Sequence, residues 1–115
     1  MALNFVCRLI TLEQILHCSF GLNKSEISIL KHLLFTKNEE TIEEIMKGVQ
    51  KDRTTIQRAV KRLFEKELIK RRQLNLEKGG YQFIYSSKPK SELKEKVFKI
   101  FHTFEENVGT EIQKW

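Results

Sequence analysis

The chain has one proline among 115 residues, two cysteines, and no low-complexity tract or internal repeat. With so little proline and 40% hydrophobic residues, its composition is that of a folded, helix-rich domain rather than a disordered segment. The length suits one modest core, so residues 1–115 are read as a single domain. A membrane span is also missing. The apolar N-terminus is interrupted by Arg8 and Glu13 and has no basic leader, which argues against a signal peptide and makes the cytoplasm the expected compartment.

Catalytic and metal-binding signatures are absent as well. No nucleophile stands beside a base and no glycine-rich phosphate loop occurs, so no enzyme is expected. His17, His32 and His102 are scattered without Cys-x-x-Cys or His-x-x-x-His spacing, so neither metal nor cofactor is expected. Cys7 and Cys18 fall about 16 Å apart along one expected helix and cannot bridge to each other. They read as small core hydrophobes, with an intersubunit disulfide or redox switch as the sharper alternative. Glu39, Glu40, Glu43 and Glu44 read as helix-cap and helix-dipole residues away from any cationic face.

What the sequence does have is focused positive charge. The net charge is +6, and segment 51–72 holds nine Lys or Arg against three acids, while the remaining residues carry twelve of each sign. The whole excess therefore lies in one fifth of the chain, as expected of a polyanion site.

Periodicity places that charge on an expected framework. Residues 3–18 read as a helix apolar on two sides. One stripe is Phe5, Leu9, Leu12 and Leu16, and the other is Leu3, Cys7, Ile10 and Cys18, so the helix needs cover on both faces. Gly21 breaks it. Asn23 with Glu26 and Thr41 with Glu44 are capping boxes that open two further helices. Gly48 and the residues after it read as a tight connection, and Asp52 as the N-cap of a basic helix. On that helix Ile56, Ala59, Val60 and Leu63 face inward, while Thr54, Gln57, Arg58, Lys61 and Arg62 face outward. The period then changes to two, and "IKRRQLNL" and "YQFIYSS" around "EKGG" read as a β-hairpin. Pro89 suits the first turn of a last helix. Its stripe is Leu93, Val97, Ile100, Phe101, Phe104, Val108, Ile112 and Trp115, and it is longer than so small a domain can cover.

Helix, helix, tight turn, basic helix and hairpin is the helix-turn-helix plan with a β-wing. The run "TIEEIMKGVQKDRTTIQRAVKRLFEKELIKR" resembles the winged helix-turn-helix of prokaryotic transcriptional regulators, particularly the TrmB-like and MarR-like groups. The resemblance rests on Thr55–Ile56 at the helix start, Arg58 three positions after that Thr, Leu63, and Leu68–Ile69 leading into Lys70, Arg71 and Arg72. It covers about residues 23–86. Two features depart from the pattern. Glu67 stands where such proteins usually have glycine, and the chain ends before the sugar-binding domain of full-length TrmB-type regulators, so no sugar ligand is expected.

The expected fold is mainly α with a small β-hairpin wing, a winged helix-turn-helix with N- and C-terminal dimerisation helices. The expected activity is sequence-specific binding of double-stranded DNA by a homodimer, with helix 52–66 in the major groove and wing 69–86 on the flanking backbone or minor groove. Gln57, Arg58, Thr54 and Thr55 are the candidate base readers. Arg53, Lys61, Arg62, Lys70, Arg71, Arg72 and Lys78 are candidate backbone contacts. Phe5, Leu9, Leu12, Leu16, Val97, Phe101, Phe104, Val108 and Ile112 are the candidate dimer interface. The competing reading is a winged-helix module that binds RNA or docks in a protein assembly through its apolar terminal helices. The sequence identifies no small-molecule effector.

Overall fold

Among the described residues, three of the five helices open on reciprocal capping boxes, which set the frame of the fold. The computed structural model describes residues 10–115. Its elements are α1 (Leu12–Phe20), α2 (Lys24–Thr36), α3 (Ile42–Val49), α4 (Arg53–Glu65), β1 (Ile69–Asn75), β2 (Tyr81–Ser87) and α5 (Lys90–Lys114). Thr11, Asn23 and Thr41 accept the amides of Gln14, Glu26 and Glu44 at 3.2, 2.9 and 3.2 Å. Those three side chains accept the cap amides in return, at 2.9, 3.0 and 2.9 Å. Two orphan donors are thus satisfied at each helix start.

The Thr11 box corrects the expectation of one helix over 3–18. Thr11 is extended, with φ −96° and ψ 163°, so α1 begins at Leu12 and runs to Phe20, where Gly21 ends it in the left-handed conformation. Phe5, Cys7 and Leu9 lie outside the described residues.

Other turns reach the left-handed region without glycine. Lys37, Gln50 and Glu67 adopt φ 58°, 55° and 61°, each at a cost of about 1–2 kcal/mol for a residue with a Cβ. Gln50, not Gly48, therefore makes the tight connection before α4. Gly48 lies inside α3, where a Cβ would sit 2.2 Å from Cε1 of His32. It is small because the α2 histidine packs there.

One hydrophobic cluster joins all the elements around α4. Leu22, Ile29, Leu30 and Leu33 meet Ile45 of α3, Ile56 and Leu63 of α4, and Leu68, all of them fully buried. Leu16 is 8% exposed within the same cluster. Its expected place in a dimer interface is therefore corrected: its own domain already covers it.

β1 and β2 pair antiparallel from Ile69 opposite Ser87 to Asn75 opposite Tyr81. Glu40 adds a short third edge, exchanging both backbone hydrogen bonds with Tyr85 at 2.8 Å. The expected alternation along β2 holds only in part. Ile84 and Tyr85 are adjacent and both buried, because α2 and α3 pack on the base of this strand.

Pro89 is the N-cap of α5 rather than part of its first turn. The helix has 25 residues, about 37 Å at 1.5 Å per residue. Leu93 is buried and Val97 half-buried, while every residue from Phe98 onward is exposed. Phe104 is 62% exposed, and Phe101, Val108, Ile112 and Trp115 are uncovered along with it.

Candidate nucleic-acid interface

The turn between α3 and α4 fixes how α4 is presented. Gln50 closes α3, its amide donating to Met46 O at 2.8 Å, and Asp52 caps α4 two residues later. The Asp52 carboxylate makes no capping bond to a backbone amide and instead accepts the hydroxyl of Thr55. That hydroxyl, aided by the nearby amides of Thr55 and Thr54, holds the Asp52 carboxyl below the usual range. Thr55 thus serves the helix start, which leaves Thr54 as the more available hydroxyl.

Ile56, Ala59, Val60 and Leu63 are buried as expected, so the opposite face of α4 must point outward. Thr54, Gln57, Arg58 and Lys61 are exposed on it. Among the described residues, Arg58, Lys61, Lys70 and Lys78 have no carboxylate within 4 Å. Arg53, Gln57 and Lys61 share a groove with Arg71, Leu76, Tyr81, Gln82 and Phe83 of the hairpin. The hairpin therefore stands beside the outward face of α4, and "KRR" belongs to β1 rather than to the helix.

Arg71 joins the two. Its guanidinium lies 4.2 Å from the ring centroid of Phe64 and 4.3 Å from that of Phe83, stacked between an α4 ring and a β2 ring. Tyr81 meets Phe83 edge to face at 5.5 Å. Tyr81 and Gln82 lie on the groove although sequence reasoning assigned them no role. Their strand pattern was visible, but the pattern does not show which side faces α4.

Three of the candidate cations are paired. Arg62 reaches back to Glu26 at 3.1 Å, Arg53 pairs with Glu43, and Arg72 grips Glu39 through two bonds of 3.1 Å. Hydrogen bonds from Arg72 and Arg53 hold the Glu39 and Glu43 carboxyls below the usual range. The expectation that the acids lie away from the cationic face is therefore corrected for Glu39 and Glu43. Glu40 is also more than a cap-region acid. It is buried, and its carboxylate lies 2.8 Å from Nε2 of His32.

Cys18 is an exposed thiol rather than a core hydrophobe. Among the described residues, no group of three His, Cys, Asp or Glu side chains is placed to hold a metal ion. No helix among them is long and apolar enough to cross a membrane.

Comparison with known proteins agrees with this geometry. A family described as "Sugar-specific transcriptional regulator TrmB" matches residues 16–91. The uncharacterized protein MJ1503 of Methanocaldococcus jannaschii is 30% identical over 109 residues, 95% of this chain and 79% of its own. A solved structure from Methanosarcina mazei Go1, named as a possible transcriptional regulator, superposes with a TM-score of 0.90 at 29% identity. That superposition covers 100% of this chain and 97% of the other. A MarR-family transcription regulator, SP03579, shares the fold, with a TM-score of 0.54 at 17% identity over 90% of this chain and 66% of its own. The family match runs from α1 through the helix-turn-helix and wing into the first turn of α5. The chain belongs to the TrmB family of transcriptional regulators, and its winged helix-turn-helix is that of a DNA-binding regulator.

Proposed function

We propose that this regulator binds duplex DNA sequence-specifically as a homodimer, each protomer placing α4 in a major groove and its wing on the flanking backbone or minor groove. The observation that carries this reading is the outward face of α4, where Thr54, Gln57, Arg58 and Lys61 are exposed beside the hairpin. A major groove admits one helix, and Arg and Gln make bidentate contacts to guanine and adenine edges. Gln57 and Arg58 are thus the base readers, and Thr54 meets a base or phosphate. Lys61, Lys70 and Lys78 hold phosphates.

The dimer rests on a separate observation, the uncovered stripe of Phe101, Phe104, Val108 and Ile112 on α5, with Leu12 of α1 also exposed. An apolar stripe of that length needs a partner, and a second copy supplies a matching one. Two-fold symmetry then calls for a pseudo-palindromic site with half-sites about 34 Å, or a multiple of it, apart.

Fluorescence anisotropy with duplexes selected from a random pool tests the DNA reading. Binding should weaken steeply with salt, and Arg58→Ala should cost about tenfold or more in affinity and relax the preference at one base pair. An unchanged affinity in that variant counts against α4 as the reading helix, and equal competition by single-stranded RNA favours an RNA-binding module. Light scattering at micromolar concentration should report a dimer, and Phe104→Glu with Ile112→Glu should give a folded monomer. A wild-type monomer overturns the dimer.

A further inference from the structure

We propose that Glu39 and Glu43 are built-in competitors for DNA phosphates: they occupy Arg72 and Arg53 in the free protein, hold down sequence-independent binding, and leave discrimination to Gln57 and Arg58. The proposal rests on the reading of α4 and the wing as the DNA face.

The geometry of the pairs is the starting point. Arg72 presents Nε to one oxygen of Glu39 and a terminal nitrogen to the other, both at 3.1 Å. This fork-to-fork arrangement is the one a guanidinium uses on two phosphate oxygens. The same N–H groups cannot serve both partners. Arg53 stands at the first position of α4, where the helix dipole and free amides favour an anion, and its guanidinium is already paired with Glu43.

The two acids bracket the cationic surface. Glu39 sits with Lys37, Lys70 and Arg72 on one side of the wing. Glu43 lines the groove shared by Arg53, Gln57 and Lys61 on the other. All four paired side chains are 45–59% exposed, so the pairs add little to folding and exchange readily. The Glu26–Arg62 pair is different, because its carboxylate is buried.

The Glu39 backbone stays in place when Arg72 is taken, which keeps its carboxylate in the neighbourhood. Its neighbour Glu40 is fixed twice, by the backbone exchange with Tyr85 and by the bond to His32. A phosphate that captures Arg72 therefore lies beside a retained negative charge. The effect falls on backbone contacts, which carry the sequence-independent part of the affinity. Base contacts from Gln57 and Arg58 are untouched, so gross affinity falls on every duplex while discrimination stays with those two residues.

The test compares wild type with Glu39→Gln, Glu43→Gln and the double variant, by anisotropy, on a selected operator and on a scrambled duplex. Affinity for the scrambled duplex should rise about two- to fivefold per substitution. The slope of log K against log salt should steepen by up to about 0.9 for each arginine released. The ratio of operator to scrambled affinity should stay about the same, because both duplexes offer the released arginines the same phosphates. Adding Arg72→Ala to Glu39→Gln should abolish the gain of that single variant. Unchanged or weaker binding of the scrambled duplex by the Gln variants overturns the competitor role. Arg58→Ala in the same assay separates the two ideas. If it binds like wild type, the reading of α4 fails and this proposal with it. If it weakens binding while the Gln variants change nothing, the competitor role alone is overturned.

Discussion

Arg62 leaves the outward face of α4 and reaches back to Glu26, 3.1 Å from a carboxylate whose side chain is 2% exposed. The same carboxylate accepts the Asn23 amide at 3.0 Å. One acid thus closes the capping box of α2 with one oxygen and fastens α4 with the other.

Arg62→Ala should therefore act on folding rather than on DNA. It leaves a buried carboxylate with only its cap bond, at a cost of about 1–3 kcal/mol, reduced from the full burial penalty because Arg62 is half-exposed. Urea unfolding should show that loss, while operator affinity, measured where the variant is folded, should change little. A loss of affinity without a loss of stability would return Arg62 to the phosphate contacts.

Gly48→Ala should destabilise the domain by about 1–3 kcal/mol, despite the better helix propensity of alanine. The new methyl would meet the His32 ring at 2.2 Å, and moving that ring breaks its 2.8 Å bond to Glu40. The strain and the lost bond exceed the roughly 1 kcal/mol that alanine contributes in a helix interior. His32→Ala should restore part of the loss in the Gly48→Ala background. A neutral Gly48→Ala in thermal melts would mean that the ring moves freely.

Glu67→Gly should stabilise by about 1 kcal/mol. Glu67 holds φ 61°, and its side chain makes no ion pair among the described residues. Its carbonyl accepts Lys96 at 2.6 Å, a bond that glycine keeps. Removing the Cβ relieves the left-handed penalty, partly offset by the greater freedom of glycine in the unfolded chain. The denaturant midpoint checks the sign.

The Asp52 carboxyl should titrate below an ordinary aspartate, chiefly because it accepts the Thr55 hydroxyl. A carboxyl depressed in the folded state contributes stability above its unfolded pKa, near 4, and loses that contribution as pH falls through the folded value. Thr55→Val should move the NMR midpoint of Asp52 upward. An unmoved midpoint would assign the depression to the amides alone.

Most of the framework was legible in the sequence because it is written in local signals. The boxes at Asn23 and Thr41, the inward face of α4 and the hairpin around Gly79–Gly80 all depend on residues a few positions apart. What escaped depended on distant partners. The start of α1 was hidden because the leucine period runs through Thr11, although Gln14 three residues later carried the signal. Gly48 looked like a turn until His32 was placed against it. Glu39 and Glu43 looked like dipole residues because nothing local says that Arg72 and Arg53 come to meet them. Leu16 kept a helical stripe with Leu12, yet one is buried and the other exposed, a difference set by what packs above the helix.

The clasp of Arg71 between Phe64 and Phe83 has a mechanical consequence. A hairpin joined to its domain only by its own strands would swing, and a duplex would have to arrest it on arrival. Here one guanidinium ties the hairpin to α4, so on the proposed reading the two elements would meet a duplex with their angle already set. The entropy of ordering that joint is spent during folding rather than at association.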